Sequence, residues 1–162
     1  MHRKAIIFGI KGYNLTANEK TLIKKVKPWG IIIFSRNIKN IIQLKNLIKN
    51  IRKILKDKNY PILIDQEGGK VSRLNSIIDL STFSQNYFGT LYRKNKKLFF
   101  YFYKIYINCI CEILNKVGIS INTVPVLDIR RKNSHNIIGD RSFSKKSNDV
   151  IVLGKLFIDA YH

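Results

Sequence analysis

The sequence predicts an α/β protein built on a parallel sheet, and three observations carry that prediction. Short apolar runs without polar alternation recur at residues 5–10, 30–34 and 62–64, with a fourth strand at 119–127, as in strands covered on both faces. Amphipathic stretches stand between the first three runs, giving strand, helix, strand, helix, strand with short polar connections. Charged residues gather just after the runs, at the edge where parallel sheets bind ligands.

Residues 5–10 are predicted as a buried first strand, with Gly9 near its end. An apolar run of about six residues behind two basic ones is too short for a secretory core segment. Thr16-Ala17-Asn18-Glu19 has capping-box spacing, which starts a helix at Thr16. Leu22, Ile23 and Val26 supply its apolar face and Pro28 ends it. Residues 30–34 form the second strand, which leaves through Ser35-Arg36-Asn37. Ile41, Leu44, Ile48, Ile51 and Leu55 then mark an amphipathic helix over 40–56. After a return turn at 57–61, Ile62, Leu63 and Ile64 form the third strand, and Asp65-Gln66-Glu67-Gly68-Gly69 follows. The glycine pair permits a sharp turn or a positive φ.

Residues 74–90 are less regular, with a short aromatic helical segment around Phe83, Tyr87 and Phe88. Residues 94–117 are the most apolar stretch. Lys104, Asn108, Glu112 and Lys116 recur there every four residues, and the uncharged run falls short of the roughly 20 residues of a membrane span. That predicts a largely buried helix with a narrow polar stripe, closed by Gly118. A fourth strand over 119–127 follows, with Asp128 at its exit. A polar connection at 130–144 leads to a helix over 146–161 with Val150, Leu153, Phe157 and Tyr161 on one face. No repeat, linker or low-complexity tail breaks the chain, so residues 1–162 read as one domain.

The net charge of +20 raises nucleic acid or an anionic surface as partners. Against this, the cations are mostly Lys, the poorer reader of phosphates and bases. They are also scattered, apart from short clusters such as Lys24-Lys25, Lys96-Lys97 and Arg130-Arg131-Lys132. The expectation is no nucleic acid and no membrane span. Cys109 and Cys111 point different ways on a helix, so they read as buried free thiols of a reducing, cytoplasmic setting. No metal-ligand spacing and no phosphate-binding glycine loop occurs, so neither metal nor cofactor is implied.

The strand exits hold Ser35-Arg36-Asn37, Asp65-Gln66-Glu67, Asp128 and Asp140-Arg141. In a (β/α) barrel such exits open on one face. Acids and arginines together suit a hydroxyl-rich ligand, because carboxylates accept from hydroxyls and guanidinium donates in a fixed fork. For the loop at 65–73 alone, a structural turn whose acids pair with nearby cations is an equal reading.

Four blocks taken together resemble glycoside hydrolase family 3. They are Gly30-Ile-Ile-Ile-Phe-Ser-Arg-Asn37, Asp65-Gln-Glu-Gly-Gly-Lys-Val-Ser-Arg73, Val124-Pro-Val-Leu-Asp128 and Ile138-Gly-Asp-Arg-Ser-Phe143. The likeness runs from residue 3 to 161 and is strongest to the bacterial β-N-acetylhexosaminidases of peptidoglycan recycling. Lys70 departs from it, since the family usually has Arg there. The resemblance implies that Asp65, Arg73 and Arg141 hold a terminal N-acetylglucosamine, with Glu67 and Asp140 as supporting ion-pair partners and Asp128 also supporting. For Arg141 the alternative is a salt bridge within its loop, and for Asp128 a helix or loop cap.

The family retains configuration through an aspartate nucleophile and uses a loop histidine as acid/base, in a Lys-His-x-Pro-Gly-His-Gly block followed by Asp-Ser-His. No such block occurs among these 162 residues, and His2, His135 and His162 lack its context. The resemblance therefore assigns no catalytic residue within the chain and places both groups beyond residue 162. A (β/α)8 barrel takes about 250 residues. Four strand-helix units make the expected fold the first half of one, with unpaired edges prone to self-association and no turnover by this polypeptide alone. A sugar-binding remnant without catalysis and a basic nucleic-acid-binding protein are the alternatives.

Overall fold

The structure is a computed structural model and describes residues 2–131 and 136–161. His135, His162 and Lys132 of the basic cluster lie outside the described residues. The strands are β1 (Lys4–Gly9), β2 (Pro28–Ile33), β3 (Ile62–Ile64) and β4 (Ile121–Asn122). The helices are α1 (Ala17–Val26), α2 (Ile41–Leu55), α3 (Gln85–Lys94), α4 (Lys96–Val117) and α5 (Ser147–Tyr161), with 3-10 turns at Ser35–Asn37 and Gly139–Arg141. The chain divides into two compact units, each discontinuous in sequence. The first comprises Met1–Asp65, Arg73–Ile78 and Ile113–Thr123; the second comprises Gln66–Ser72, Asp79–Glu112 and Val124–His162.

The first unit carries the sheet. All pairings are parallel, in the order β1-β2-β3-β4. Ile31 stands opposite Ile62, Ile33 opposite Ile64 and Leu63 opposite Ile121. At Gly30 a Cβ would lie 2.6 Å from the Leu63 side chain, so glycine lets β2 approach β3 closely. α1 begins with the reciprocal Thr16–Glu19 box that its spacing predicts, and Asn40 caps α2 by accepting from the Gln43 amide at 2.9 Å. Ile23 of α1 and Leu44, Leu47, Ile48, Ile51 and Leu55 of α2 are buried, the apolar stripe of helices that cover a sheet.

Two expectations fail in this unit. β1 is not a buried strand: Ile6 and Ile7 are 46% and 44% exposed. It is an edge strand, and its apolar composition says only that it suits a covered position. The fourth strand is far shorter than 119–127. Its ladder runs from the Ser120 amide on Ile62 O (3.0 Å) to the Thr123 amide on Ile64 O (2.8 Å) and stops there.

The residues that follow, in the second unit, have other partners. Pro125 has no N–H to donate. At Val126 the Gln85 side chain takes both main-chain groups, accepting from the amide at 2.7 Å and donating to the carbonyl at 2.8 Å. The core here is aromatic. Phe88 packs edge-on or tilted against Phe99, Tyr103 and Tyr106, and Phe157 against Tyr103 and Phe143, with centroids 4.9–6.4 Å apart. α4 is not the largely buried helix expected. It buries one face, Phe99, Tyr103, Tyr106, Ile107 and Ile110, while Phe100, Tyr101, Phe102 and Ile105 are exposed. Aromatic residues on both sides had hidden a spacing of three and four. Cys109 and Cys111 are free but only half-buried, for the same reason. No helix among the described residues is long and apolar enough to cross a membrane.

Candidate functional site

In the first unit, Asp65 follows β3 directly, so the strand's last residues fix where its carboxylate starts. Arg73 clasps it in a bidentate pair, Nε to Oδ1 at 2.7 Å and Nη2 to Oδ2 at 2.6 Å. The Arg73 guanidinium also lies 5.4 Å from the centre of the Phe34 ring, and Arg36 lies 4.5 Å from the same ring. Phe34 closes the second apolar run, so the β2 exit supplies a hydrophobic seat for cations at the β3 exit. Asn37, expected as a polar exit residue, is fully buried and structural. It accepts from the Phe34 amide at 2.9 Å and donates to Ile10 O and Gly12 O at 3.1 and 3.0 Å.

In the second unit, the Gly68-Gly69 pair makes the turn that its composition predicts, with φ of +84° and +60°. A Cβ at Gly68 would meet Phe83 O at 2.2 Å, and one at Gly69 would meet Ser84 Cβ at 2.7 Å. The turn is closed by the Glu67 amide on Val71 O and held by the Gly69 amide on Leu80 O, both 3.0 Å. Gln66 is buried and donates to Ser72 Oγ at 3.1 Å. Glu67 is 5% exposed and receives Arg141 in a second bidentate pair, Nε and Nη2 each at 2.8 Å. Tyr106 donates to Glu67 O at 3.2 Å, and burial pushes its phenol far above the ordinary value, so it stays a donor.

Arg141 is thus ion-paired 74 residues away in the chain, not within its own loop. Asp140 sits 3.9 Å from Lys70, whose side chain is 77% exposed, which makes a loose contact of little energetic weight. Asp128 does not act as a side-chain cap. It is exposed, and its main-chain carbonyl accepts from Ser142 Oγ at 2.6 Å. Asp65 and Arg73 meet in the first unit, and Glu67, Lys70, Asp140 and Arg141 cluster in the second. Gln85 and Ser142, which tie the segment after β4 in place, escaped the sequence reading. A glutamine in a first helical turn and a serine in a polar loop have no distinctive spacing.

Both pairs leave acceptor capacity, since a carboxylate has about four lone-pair positions and each arginine takes two. Each pair, within its own unit, presents fixed acceptors and fixed guanidinium donors; among the described residues no group of three or more His, Cys, Asp and Glu could hold a metal ion. Such a set suits binding of neutral, hydroxylated molecules.

Residues 6–162 match the glycosyl hydrolase family 3 N terminal domain. The chain is 32% identical over 160 residues to a beta-hexosaminidase of Tolumonas auensis, covering 97% of this chain and 45% of that protein. It is 30% identical over 158 residues to a beta-hexosaminidase of Haemophilus influenzae, covering 98% and 43%. The crystal structure of NagZ from Neisseria gonorrhoeae in complex with N-trifluoroacetyl-D-glucosamine superposes with a TM-score of 0.84 at 27% identity, over 98% of this chain and 47% of that one. The chain therefore spans a little under half the length of these relatives. Its sequential parallel strands with intervening helices are the first four βα units of a (β/α)8 barrel.

Proposed function

The chain belongs to glycoside hydrolase family 3, and on that premise we propose that it is the sugar-holding N-terminal part of a β-N-acetylhexosaminidase acting on terminal β-linked N-acetylglucosamine of peptidoglycan fragments in the cytoplasm. The observation that carries the reading is the bidentate Asp65–Arg73 pair at the end of β3. Asp65 accepts hydrogen bonds from sugar hydroxyls through lone pairs that Arg73 leaves over. Arg73 and Arg141 donate to sugar oxygens from guanidinium groups whose orientation Asp65 and Glu67 fix. The N-trifluoroacetyl-D-glucosamine bound to the gonococcal relative is an N-acylated amino sugar of the proposed kind.

Hydrolysis with retention needs a nucleophilic carboxylate and an acid/base group. The reading assigns neither to these 162 residues, so the polypeptide binds the sugar and does not cleave the glycoside. The test is a titration with N-acetylglucosamine followed by NMR, beside an assay for chromophore release from a β-N-acetylglucosaminide. Saturable binding, lost in Asp65→Ala and without turnover, is the expected result. Binding indifferent to both Asp65→Ala and Arg141→Ala, or none at all, overturns the site. Turnover abolished by Asp65→Ala shows that a catalytic group lies within the chain.

A further inference from the structure

We propose that the groove between α1 and α2 binds a phosphorylated small molecule through its phosphate. The groove measures about 390 Å³ and is lined by Asn14, Leu15, Lys20, Asn50, Lys53 and Ile54, all within the first unit. That volume lies in the range of small-ligand sites, about 300–1,000 Å³.

Cations are common in this chain, so a pair of lysines alone decides nothing. Three features together favour an anion there. The first separates this groove from others on the chain, which hold Asp140 or Asp159, whereas lysines outside an ion pair are the rule among the described residues. No carboxylate lines the groove. The unit's three carboxylates are all engaged elsewhere: Glu19 by Thr16 and the Lys11 amide, Asp57 by Arg3, and Asp65 by Arg73. The four polar side chains of the groove are also unspent. Among the described residues, neither lysine forms an ion pair and neither asparagine side chain forms a hydrogen bond. Two ammonium groups and two amide NH₂ groups therefore face solvent as donors with no acceptor of their own.

A phosphate suits this set. Lys binds it as a point charge, and neutral amides add donors without adding repulsion between cations. Leu15, itself buried, and Ile54 form an apolar wall, which gives a carbon skeleton a surface to lie against. That favours an organic phosphate over the bare ion.

The experiment records amide shifts of the full 162-residue chain titrated with a hexose phosphate, with the parent hexose and sodium chloride at matched ionic strength as controls. The proposal expects saturable shifts around residues 14–15, 20 and 50–54 with the phosphate alone, about tenfold weaker in Lys20→Gln and again in Lys53→Gln. Both lysines are exposed, so the variants should fold, and circular dichroism checks this. Should either variant unfold, Asn50→Leu gives the same reading. Shifts spread evenly over all lysines, or undiminished in the variants, overturn the proposal. So does pelleting with phosphatidylglycerol vesicles in the absence of any response to hexose phosphate, which would make the groove a membrane-headgroup site. Binding of N-acetylglucosamine is untouched by these substitutions, so this test and that of the sugar site fail separately.

Discussion

Two arginines each clasp a carboxylate, and what their removal would strand differs. Glu67 is almost wholly buried, whereas Asp65 keeps about a fifth of its side chain in contact with solvent. Arg141→Ala leaves a buried, uncompensated charge and should cost about 3 kcal/mol. Arg73→Ala leaves a carboxylate that water still reaches and should cost about 1 kcal/mol. Urea unfolding of the two variants measures this order, and adding Glu67→Gln to Arg141→Ala should recover part of the loss. Equal costs would show that Glu67 is better hydrated than its burial implies. A third pair has a pH signature. The Arg3 hydrogen bond holds the Asp57 carboxyl below its ordinary value of 3.8. A depressed carboxyl contributes stability that is complete above the unfolded value and is lost as pH falls through the folded one. Melting temperatures taken downward from about pH 5 should therefore fall less steeply in Arg3→Ala than in the parent, below pH 3.8 above all.

Elements hold where local chemistry and tertiary packing agree. The α1 box satisfies both ends of its exchange, the Glu19 amide on Thr16 Oγ1 at 3.2 Å and the Thr16 amide on Glu19 Oε2 at 2.8 Å. Thr16→Ala should cost about 1 kcal/mol in thermal unfolding. Gly89 of α3 is a harsher case, because a Cβ there would sit 1.9 Å from Phe143 O. Gly89→Ala should cost more than the cap, about 2–3 kcal/mol, although alanine is the better helix former. A neutral or stabilising result would mean that α3 can slide away from residue 143. The cap and the α2 stripe were legible in the sequence because each is a short-range pattern. So was the glycine turn between Glu67 and Lys70. The polar exits were misjudged: Asn37, Gln66 and Glu67 are buried, and Asp128, Asp140 and Arg141 lie well past the end of β4 at Asn122. The exposure of β1 was not legible, since an apolar run records what a strand tolerates and not which neighbours it has. Nor was the end of β4, which depends on Gln85 reaching a residue 41 positions away. The aromatic density of α4 masked its period, because Phe and Tyr serve equally on a buried face and an exposed one. Glu67 was legible as an ion-pair partner, but that it pairs with Arg141, 74 residues on, emerged only when distant segments came together.

Across the whole chain two forces oppose one another, and salt separates them. Ile6 and Ile7 on β1, Phe100, Tyr101 and Phe102 on α4, and Ile151 and Ile158 on α5 are all exposed. So much apolar surface, including an edge strand that offers unpaired backbone groups, favours association between copies. The net charge of +20 resists it. Repulsion between like-charged copies is long-ranged and fades as the Debye length shrinks from about 30 Å at 0.01 M to about 3 Å at 1 M salt. Apolar attraction does not fade with it. The 162-residue chain should therefore sediment as smaller species at low salt and as larger ones at high salt. Binding to a polyanion would weaken over the same range. Ile7→Lys places a charge on the β1 edge and should hold the chain in its smaller form to higher salt. A chain that stays monomeric and melts in one sharp transition at high salt would show that these apolar surfaces are not adhesive, and that the four βα units are self-sufficient in water.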